Sequence, residues 1–273
     1  MTDTKQKVRE FYDQIGWQQE ADGNYQNARY EDLRPVSAEY IRKTRLRVND
    51  GLLPTGRLLL DAGSGPVKYD DYLTYSQGYQ KRVCLDISIQ ALREARTRLG
   101  DHGLFVVGDL ANLPFKSDSF DGEVSMHAIH HLAVDEHPRA YSELYRVLAP
   151  GRSAAIVNGL THPALTGWLD TLVITSRRLR RLLRGKPMRA QPQGDKGTYV
   201  KKTSAHRLRQ QLNGKMSMEI SCWRSASTRI LRTFIHEKLG GRAILSWLFD
   251  METRHPKFFG ENGQYPLIVI RKP

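Results

Sequence analysis

Short, mostly apolar runs, each followed by a polar or glycine-containing turn, recur along the first 160 residues of the chain. Between these runs, apolar positions return at helical spacing. Runs this short that end at Gly, Pro or Asp are typical of buried strands, and their alternation with helices is typical of an α/β protein. The five strands predicted in this way span residues 58–61, 82–86, 104–107, 120–125 and 154–157.

The turn after the first strand carries a Gly-x-Gly pattern at Gly63 and Gly65. Glycine accepts positive φ and lets the backbone approach a ligand closely. A helix is predicted over 67–77, so the turn would lie at the carboxyl end of a strand and the amino terminus of a helix. Open α/β sheets bind nucleotide-like ligands at that position, although the pattern also occurs in plain strand–helix turns.

Acidic residues close two of the predicted strands. Asp86 ends the second strand, 25 positions after Asp61, and Asp109 follows the third strand within Gly108-Asp109-Leu110. An acid at the end of an apolar strand is costly without a partner. A carboxylate at position 86 can accept hydrogen bonds from both hydroxyls of a ribose that lies across the glycine turn.

Residues 58–158 resemble class I S-adenosylmethionine-dependent methyltransferases, within the ubiquinone/menaquinone-biosynthesis-like and small-molecule group. The resemblance depends on the order and spacing of several motifs. They are Asp61-x-Gly63-x-Gly65, Asp86, Gly108-Asp109-Leu110, Leu113-Pro114-Phe115, Ser119-Phe120-Asp121, His130-His131-Leu132 and Leu148-x-Pro150-Gly151. Val67 replaces the third glycine of the family pattern. A nicotinamide-dependent dehydrogenase is disfavoured, because its fingerprint requires glycine where this chain has Lys68.

The resemblance implies a seven-stranded Rossmann-like sheet whose last strand is antiparallel, and S-adenosylmethionine as the cofactor. It places Asp86 on the ribose, Asp109 on the adenine amine and Leu110 against the adenine ring. Tyr12 belongs to an amino-terminal segment that covers the cofactor in this family, although core packing is an alternative role for it. The residues expected to bind the cofactor are Tyr12, Asp61, Ala62, Gly63, Ser64, Gly65, Asp86, Ile87, Asp109, Leu110, Met126 and His127.

Three histidines, His127, His130 and His131, follow the fourth strand. A metal site is disfavoured because few carboxylates are near them, whereas a structural role is open, above all for His131. A neutral imidazole is also well suited to removing a proton from a hydroxyl nucleophile. Sugar O-methyltransferases of similar type place a His-His pair here, which implies His130 and His131 as catalytic residues with His127 as the alternative. The acid that those enzymes place after strand five is Asn158 in this chain.

Composition describes an ordinary globular protein of 273 residues, 40% hydrophobic and 26% charged, with a core of ample size. Cys84 and Cys222 both lie in apolar runs, so buried reduced thiols and a cytoplasmic location are expected. Residues 1–10 are polar, which disfavours a signal peptide, and no apolar run approaches the roughly 20 residues of a membrane-spanning helix.

The net charge of +13 is concentrated in one segment, because residues 175–215 hold thirteen Lys and Arg against the single acid Asp195. Leucines recur at helical spacing over 165–184 among five arginines. The segment could be a solvated lid, a helix that rests on an anionic membrane surface, or part of a site for an anionic acceptor. Nucleic acid is disfavoured, since the segment lacks interleaved aromatic residues.

These observations predict an amino-terminal helical cap over 1–50, a cofactor-binding core over 51–160, a basic helical lid over 161–216 and carboxyl-terminal elements over 217–273 that complete the core. The expected function is methyl transfer to a small-molecule acceptor, with oxygen in a sugar-containing, anionic or lipid-linked metabolite favoured. The alternatives are a carbon methyltransferase of the quinone-biosynthesis type and a non-catalytic protein that binds the cofactor or a membrane surface.

Overall fold

The computed structural model describes residues 3–16, 31–161, 198–212 and 214–273, with a few isolated positions between 164 and 175. Its centre is a sheet of seven strands in the order β3-β2-β1-β4-β5-β7-β6. The strands are β1 Gly56–Ala62, β2 Tyr79–Asp86, β3 Gly103–Val107, β4 Phe120–Met126, β5 Leu148–Val157, β6 Ser217–Arg224 and β7 Tyr265–Arg271.

Strands β1 to β5 are mutually parallel, and β7 is antiparallel to both of its neighbours, β5 and β6. The predicted α/β class, the seven strands and the antiparallel last strand are therefore confirmed. Because β6 is antiparallel to β7, it runs in the same direction as the five parallel strands. Six carboxyl-terminal strand ends thus lie at one edge of the sheet, where ligands bind in folds of this kind.

Nine helices accompany the strands in the described part of the chain. They are α1 Asp3–Phe11, α2 Pro35–Leu46, α3 Asp70–Leu73, α4 Ile89–Leu99, α5 His137–Val147, α6 Ala205–Leu212, α7 Thr228–Phe234, α8 Gly241–Arg254 and α9 Pro256–Asn262. Buried residues of α5 and α6 pack on one face of the sheet, while Tyr75 and Trp223 belong to the cluster on the other. None of these described helices is long and apolar enough to cross a membrane.

The helix predicted over 67–77 is shorter in the structure. Val67 has a positive φ of 51°, and Tyr69 is extended, so a helix cannot begin before Asp70. Only α3 and a short 3₁₀ turn at Thr74–Ser76 form in this stretch. The helical spacing of the apolar positions does not reveal that the backbone of the glycine turn extends this far.

Helices α2 and α9 both begin at a proline. The hydroxyl of Ser37, in the first turn of α2, donates to Asp32 Oδ2 at 2.6 Å. Helix α9 lies between α8 and the last strand. That helix packs closely on β6, since a Cβ on Gly260 would come within 2.3 Å of the carbonyl oxygen of Ser221.

The arginine-rich stretch 177–184 of the basic insert falls outside the described residues. The predicted membrane contact over 165–184 belongs to the same stretch. Helix α6 lies within the segment 161–216 that was predicted to be a basic helical lid. Cys84 and Cys222 are buried and free, as expected.

Candidate active site

A cavity of about 610 Å³ opens at the carboxyl ends of the parallel strands. The turns after β1, β2, β3 and β4 form its floor, and the amino-terminal segment covers one side. Residues 198–202 and the ends of β6 and β7 supply the remaining wall. Among the side chains that line it are Lys5, Tyr12, Glu31, Lys68, Asp86, Asp109, Leu110, Met126, His127, His130, His131, Lys202, Trp223, Arg224 and Tyr265.

The glycine turn after β1 has the conformation that its sequence predicts. Gly63 and Gly65 have φ of 75° and 55°, and a Cβ on Gly63 would come within 2.3 Å of the Cβ of Ala128. The N–H groups of Gly63 and Ser64 both donate to the carbonyl of Leu85. This backbone can therefore approach a ligand in the cavity without an intervening side chain.

Asp86 connects the glycine turn to the start of α4. Its Oδ2 accepts a hydrogen bond from Gly65 N–H and its Oδ1 accepts one from Ser88 N–H, both at 2.9 Å. Burial raises the pKa of Asp86 to about 6, so the carboxylate is ionised at neutral pH. Each oxygen retains a lone pair for a further donor, which suits a pair of sugar hydroxyls. Ile87, also predicted to bind the cofactor, lines the cavity beside it.

Asp109 is held by the amino-terminal helix. Its Oδ1 accepts from Ala111 N–H at 2.9 Å, and its Oδ2 lies 2.6 Å from Lys5 Nζ. The ammonium group of Lys5 is buried and also pairs with Glu136. Leu110 lines the cavity next to the acid. Asp109 is thus both a turn residue and a wall residue, and its bond to Lys5 was not foreseen from the sequence.

Asp61 and Ala62 do not line the cavity. Asp61 is buried and forms an ion pair with Arg82, whose Nη2 lies 2.5 Å from its Oδ2. Arg82 also donates to the carbonyl of Tyr72 in the segment that follows the glycine turn. The N–H groups of Gly63 and Ser64 in the turn donate to the carbonyl of Leu85 and not to Asp61. Asp61 is therefore connected to the segment after the glycine turn through Arg82, from within the core.

Tyr12 and His131, which both line the cavity, are joined by a hydrogen bond. The two atoms Tyr12 Oη and His131 Nε2 are 2.8 Å apart, and His131 Nδ1 lies 2.8 Å from the carbonyl oxygen of Tyr199. A carbonyl only accepts, so Nδ1 carries the hydrogen and Nε2 accepts from the tyrosine hydroxyl. Burial lowers the pKa of His131 to about 4, which keeps the ring neutral. Both ring nitrogens of His131 are therefore engaged in hydrogen bonds with described residues.

His130 differs from His131 in having one open nitrogen. Its Nδ1 donates to Asn158 Oδ1 at 2.6 Å, which leaves a lone pair on Nε2. Nε2 has no hydrogen-bond partner among the described residues. Burial first, and then the neighbouring rings of His131 and His127, lower the pKa of His130 well below its usual value. The structure therefore presents a neutral imidazole with a free acceptor in the cavity wall.

His127 lies in the turn after β4 in a strained conformation, with a φ of 57°. Its ring packs edge-on against Trp223 and Tyr265, with centroids 5.1 Å and 5.2 Å away. Burial, followed by the charges of Arg224 and Lys202, lowers the pKa of His127 to about 3. Within the described residues, no group of three or more His, Cys, Asp or Glu is arranged to hold a metal ion.

Three cations in the wall, Lys68, Lys202 and Arg224, were not singled out from the sequence. A signal for one of them was present. Arg224 is the last residue of β6 and follows the apolar residues Cys222 and Trp223, just as Asp86 closes β2. In both cases, a charged residue that ends an apolar strand at the ligand-binding edge of the sheet indicates a residue that binds a ligand.

Comparison with known proteins identifies the core. The family model for a methyltransferase domain matches residues 60–156. This segment holds the glycine turn, Asp86, Asp109 and the three histidines. Residues 60–156 are a methyltransferase domain of the class I type. The resemblance recognised in the sequence is thereby confirmed for the core, whereas the subgroup within the class is not specified.

Two curated relatives share this domain. The chain is 33% identical over 98 residues, 36% of its length, to a phthiotriol/phenolphthiotriol dimycocerosates methyltransferase of Mycobacterium leprae. It is 34% identical over 125 residues, 45% of its length, to a probable tRNA methyltransferase 9B of Mus musculus. The matches span 36% and 26% of those two proteins, so each covers well under half of the relative.

A solved structure matches the whole methyltransferase fold of the chain. Geranyl diphosphate C-methyltransferase from Streptomyces coelicolor, crystallised with Mg²⁺, geranyl diphosphate and S-adenosyl-L-homocysteine, superposes with a TM-score of 0.58. The match covers 100% of this chain and 98% of that one at 13% identity. At this identity the likeness concerns the fold, including the elements that follow the methyltransferase domain.

S-adenosylmethionine is the cofactor of such methyltransferase domains, and the residues of the cavity fit it. A glycine turn without side chains can accept close approach of a ligand, and Asp86 has open lone pairs for a ribose. Asp109 and Leu110 line the same cavity beside Asp86. Ten of the twelve predicted cofactor residues line this cavity, the exceptions being Asp61 and Ala62.

Proposed function

We propose that the chain transfers a methyl group from S-adenosylmethionine to an oxygen atom of a small-molecule acceptor, with His130 as the general base. The observation that supports this proposal is the hydrogen bond from His130 Nδ1 to Asn158 Oδ1. It leaves the Nε2 lone pair on the wall of the cavity that holds the cofactor-binding residues. An oxygen acceptor must lose a proton during the reaction, and a positioned imidazole is suited to take it.

The cofactor supplies the activated methyl group when it is bound, so the chain has little covalent chemistry to perform. Its residues bind the cofactor through the glycine turn and Asp86, and they hold the acceptor and exclude water through the surrounding wall. His130 Nε2 takes the hydroxyl proton, while Asn158 keeps the ring oriented. His131 orients Tyr12, and His127 remains the alternative base because its ring also lines the cavity.

A sugar-containing, anionic or lipid-linked metabolite is the acceptor class that we favour. The cavity is lined by both aromatic rings and cations, including Tyr265, Trp223 and Arg224. Aromatic faces suit a sugar ring or an apolar chain, and cations suit an anionic group. The two buried free thiols agree with a reducing compartment such as the cytoplasm, and we assign the reaction to small-molecule biosynthesis.

The test combines cofactor binding with a screen for transfer. Calorimetry with S-adenosyl-L-homocysteine measures cofactor affinity, and labelled S-adenosylmethionine reports transfer to acidic sugars, quinols and lipid fractions. We expect saturable binding and transfer to oxygen. His130→Ala should lower the turnover number by about 10²- to 10⁴-fold and leave cofactor affinity within about twofold.

His206→Ala is the matched control, because His206 is exposed on α6. Label recovered on carbon would replace the oxygen proposal with a carbon methyltransferase. Cofactor binding without transfer to any fraction would favour a non-catalytic binding protein. Absence of cofactor binding would defeat the proposal altogether.

A further inference from the structure

Arg224 is a buried cation without a hydrogen-bonded anion among residues 3–16, 31–161, 198–212 and 214–273. The residue is 3% exposed, and its Nε and Nη1 atoms have no hydrogen-bond partner among the described residues. The nearest carboxylate, Glu31, has its Oε1 3.9 Å from Nη1, beyond hydrogen-bond distance. The guanidinium instead lies beside the rings of Trp223 and Tyr265, 5.0 Å and 4.9 Å from their centroids. A desolvated charge with open donors is costly, which indicates a ligand.

Glu31 does not form a hydrogen bond with Arg224, because its carboxylate is paired with another arginine. Its Oε2 lies 2.7 Å from Arg45 Nη2, and Arg45 also pairs with Asp71 at 3.1 Å. Both carboxylates, those of Glu31 and Asp71, are thus hydrogen-bonded to Arg45. Arg224 has the negative charge of Glu31 nearby, but its Nε and Nη1 have no acceptor in the part of the chain that the structure describes.

Two lysines add to the positive charge of this wall. Lys68 Nζ lies 4.6 Å from the ring centroid of Tyr69, and Lys202 Nζ lies 5.5 Å from that of Tyr265. Neither has an ion pair within 4.0 Å among the described residues. The stem of Lys202 crosses Gly159 closely, since a Cβ there would come within 2.7 Å of Lys202 Cε. The absence of a side chain at position 159 thus leaves room for this lysine beside the cavity.

Arg224 and Lys202 lie beside His127 in the cavity wall. All three border the ring of Tyr265. Arg224 ends β6, whereas Asp86 ends β2, and four other strands separate these two in the sheet. Arg224 and Lys202 are therefore next to a histidine and across the sheet from the carboxylate that suits a ribose.

We propose that Arg224 and Lys202, assisted by Lys68, bind a carboxylate or phosphate group of the methyl acceptor. This inference rests on the proposed function and names the acceptor class more narrowly. The planar guanidinium fork of arginine matches both kinds of anion, and the buried setting strengthens a charge-assisted hydrogen bond. The site lies in the described core of the chain and does not depend on the basic insert.

Anion binding would also affect the proposed base. The charges of Arg224 and Lys202 add to burial in lowering the pKa of His127, and Lys202 does the same for His130. An anion between these cations would offset their charge and raise both pKa values toward neutrality. A base whose pKa lies closer to the working pH takes a proton more effectively. The acceptor would thereby improve the base that deprotonates it.

The test uses the full chain saturated with S-adenosyl-L-homocysteine and titrated with inorganic phosphate, or with acetate, at constant ionic strength. We expect saturable binding of at least one anion. Arg224→Gln should weaken it about tenfold or more, Arg224→Lys less, and Lys202→Gln several-fold. Lys201→Gln is the matched control, because Lys201 is exposed beside Lys202 and does not line the cavity; it should change binding less than about twofold.

Several results would overturn the inference. The first is that neither phosphate nor acetate binds saturably to the wild-type complex. The second is that Lys201→Gln and Lys202→Gln weaken anion binding equally. The third is that both Arg224 variants bind the anion as tightly as the wild-type protein. A parallel loss of S-adenosyl-L-homocysteine affinity in the Arg224 variants would assign the cations to the cofactor carboxylate. None of these results contradicts the proposed function as long as S-adenosyl-L-homocysteine binds the wild-type protein. If S-adenosyl-L-homocysteine does not bind, both the proposed function and the anion site are contradicted. Circular dichroism and thermal melting establish that the variants are folded.

Discussion

The hydroxyl of Tyr12 donates a hydrogen bond of 2.8 Å to Nε2 of His131, a residue 119 positions further along the chain. The other nitrogen of that ring is committed to the carbonyl of Tyr199. The amino-terminal segment is therefore attached to the residues that follow β4, and both partners line the cavity. The hydrogen bond between Tyr12 and His131 thus holds the amino-terminal segment over the cavity and also orients the His131 ring.

Replacing Tyr12 tests this attachment. Tyr12→Phe removes the donor and leaves Nε2 of His131 unpaired, so cofactor affinity should fall a few-fold. Tyr12→Ala also removes a buried ring and should cost about tenfold. Calorimetry with S-adenosyl-L-homocysteine and turnover measurements provide the readouts, and Tyr145→Phe outside the cavity is the control. Unchanged affinity and turnover in both Tyr12 variants would contradict the assignment.

Asn158 offers a test of the proposed base, because its Oδ1 is the acceptor for His130 Nδ1. Asn158→Asp replaces a neutral partner by a charged one, which should raise the pKa of His130 by about one unit or more. The acidic limb of the profile of the turnover number against pH should then move to higher pH. Asn158→Ala should lower turnover without that displacement. Superimposable profiles for the wild-type protein and the Asn158→Asp variant would remove His130 from the role of base.

Cofactor affinity should depend on the ionisation of Asp86, whose pKa burial raises to about 6. The ionised carboxylate is the better acceptor for sugar hydroxyls, so affinity should be constant above about pH 7. It should fall by up to about tenfold per pH unit below about pH 6. Titrations with S-adenosyl-L-homocysteine on both sides of that pKa measure this dependence. Asp86→Asn should bind weakly with little pH dependence, and an equally steep decline in that variant would assign the effect to another group.

The buried histidines should make the fold sensitive to acid. The pKa values of His127 and His131 are about 3 and about 4 in the folded protein, against 6.5 for an unperturbed histidine. Between those values the unfolded chain binds more protons, so the free energy of unfolding falls as pH decreases below about 6.5. Each histidine contributes at most about 1.4 kcal/mol per pH unit.

Asp86 acts in the opposite direction, because its folded pKa is raised to about 6 and its protonation below that pH favours the folded state. Burial also raises the pKa of Glu123 well above its usual value, and it lowers that of His130 well below 6.5. Three buried histidines outweigh these two carboxyls, so a net loss of stability is expected as the pH falls from about 6.5 to about 5. Urea unfolding at several pH values measures it. His131→Gln should reduce the slope, whereas exposed His206→Gln should not; an identical slope in both variants would contradict the prediction.

The pair of Asp61 and Arg82 should support the glycine turn from within the core. Arg82→Met leaves the Asp61 carboxyl buried without its cation, and we expect a loss of about 3–5 kcal/mol in the free energy of unfolding. The double variant Asp61→Leu with Arg82→Met removes both charges and should recover part of that loss. Denaturant unfolding of the wild-type, single-variant and double-variant proteins measures these differences. A double variant less stable than the sum of the single changes would contradict a pairwise interaction.

The elements of the core follow from local pattern. The strand ends before Gly63 and at Asp86 could be read from the sequence because apolar runs stop abruptly at residues with a specific backbone or charge role. The antiparallel last strand came from the family resemblance. Local pattern failed for the helix over 67–77, because positive φ at Val67 is a property of the surrounding turn and not of valine.

The sequence by itself determined the order of strands along the chain, the glycine turn and the acids and histidines that reach the ligand-binding edge. Only the tertiary structure decided which of them act together. Lys5 meets Asp109 across 104 positions, and His130 meets Asn158 across 28, so the open nitrogen of His130 could not be read from local pattern. The physical reason is that hydrogen-bond partners and desolvation depend on which distant segments pack together, whereas strand ends and tight turns depend on neighbours in sequence.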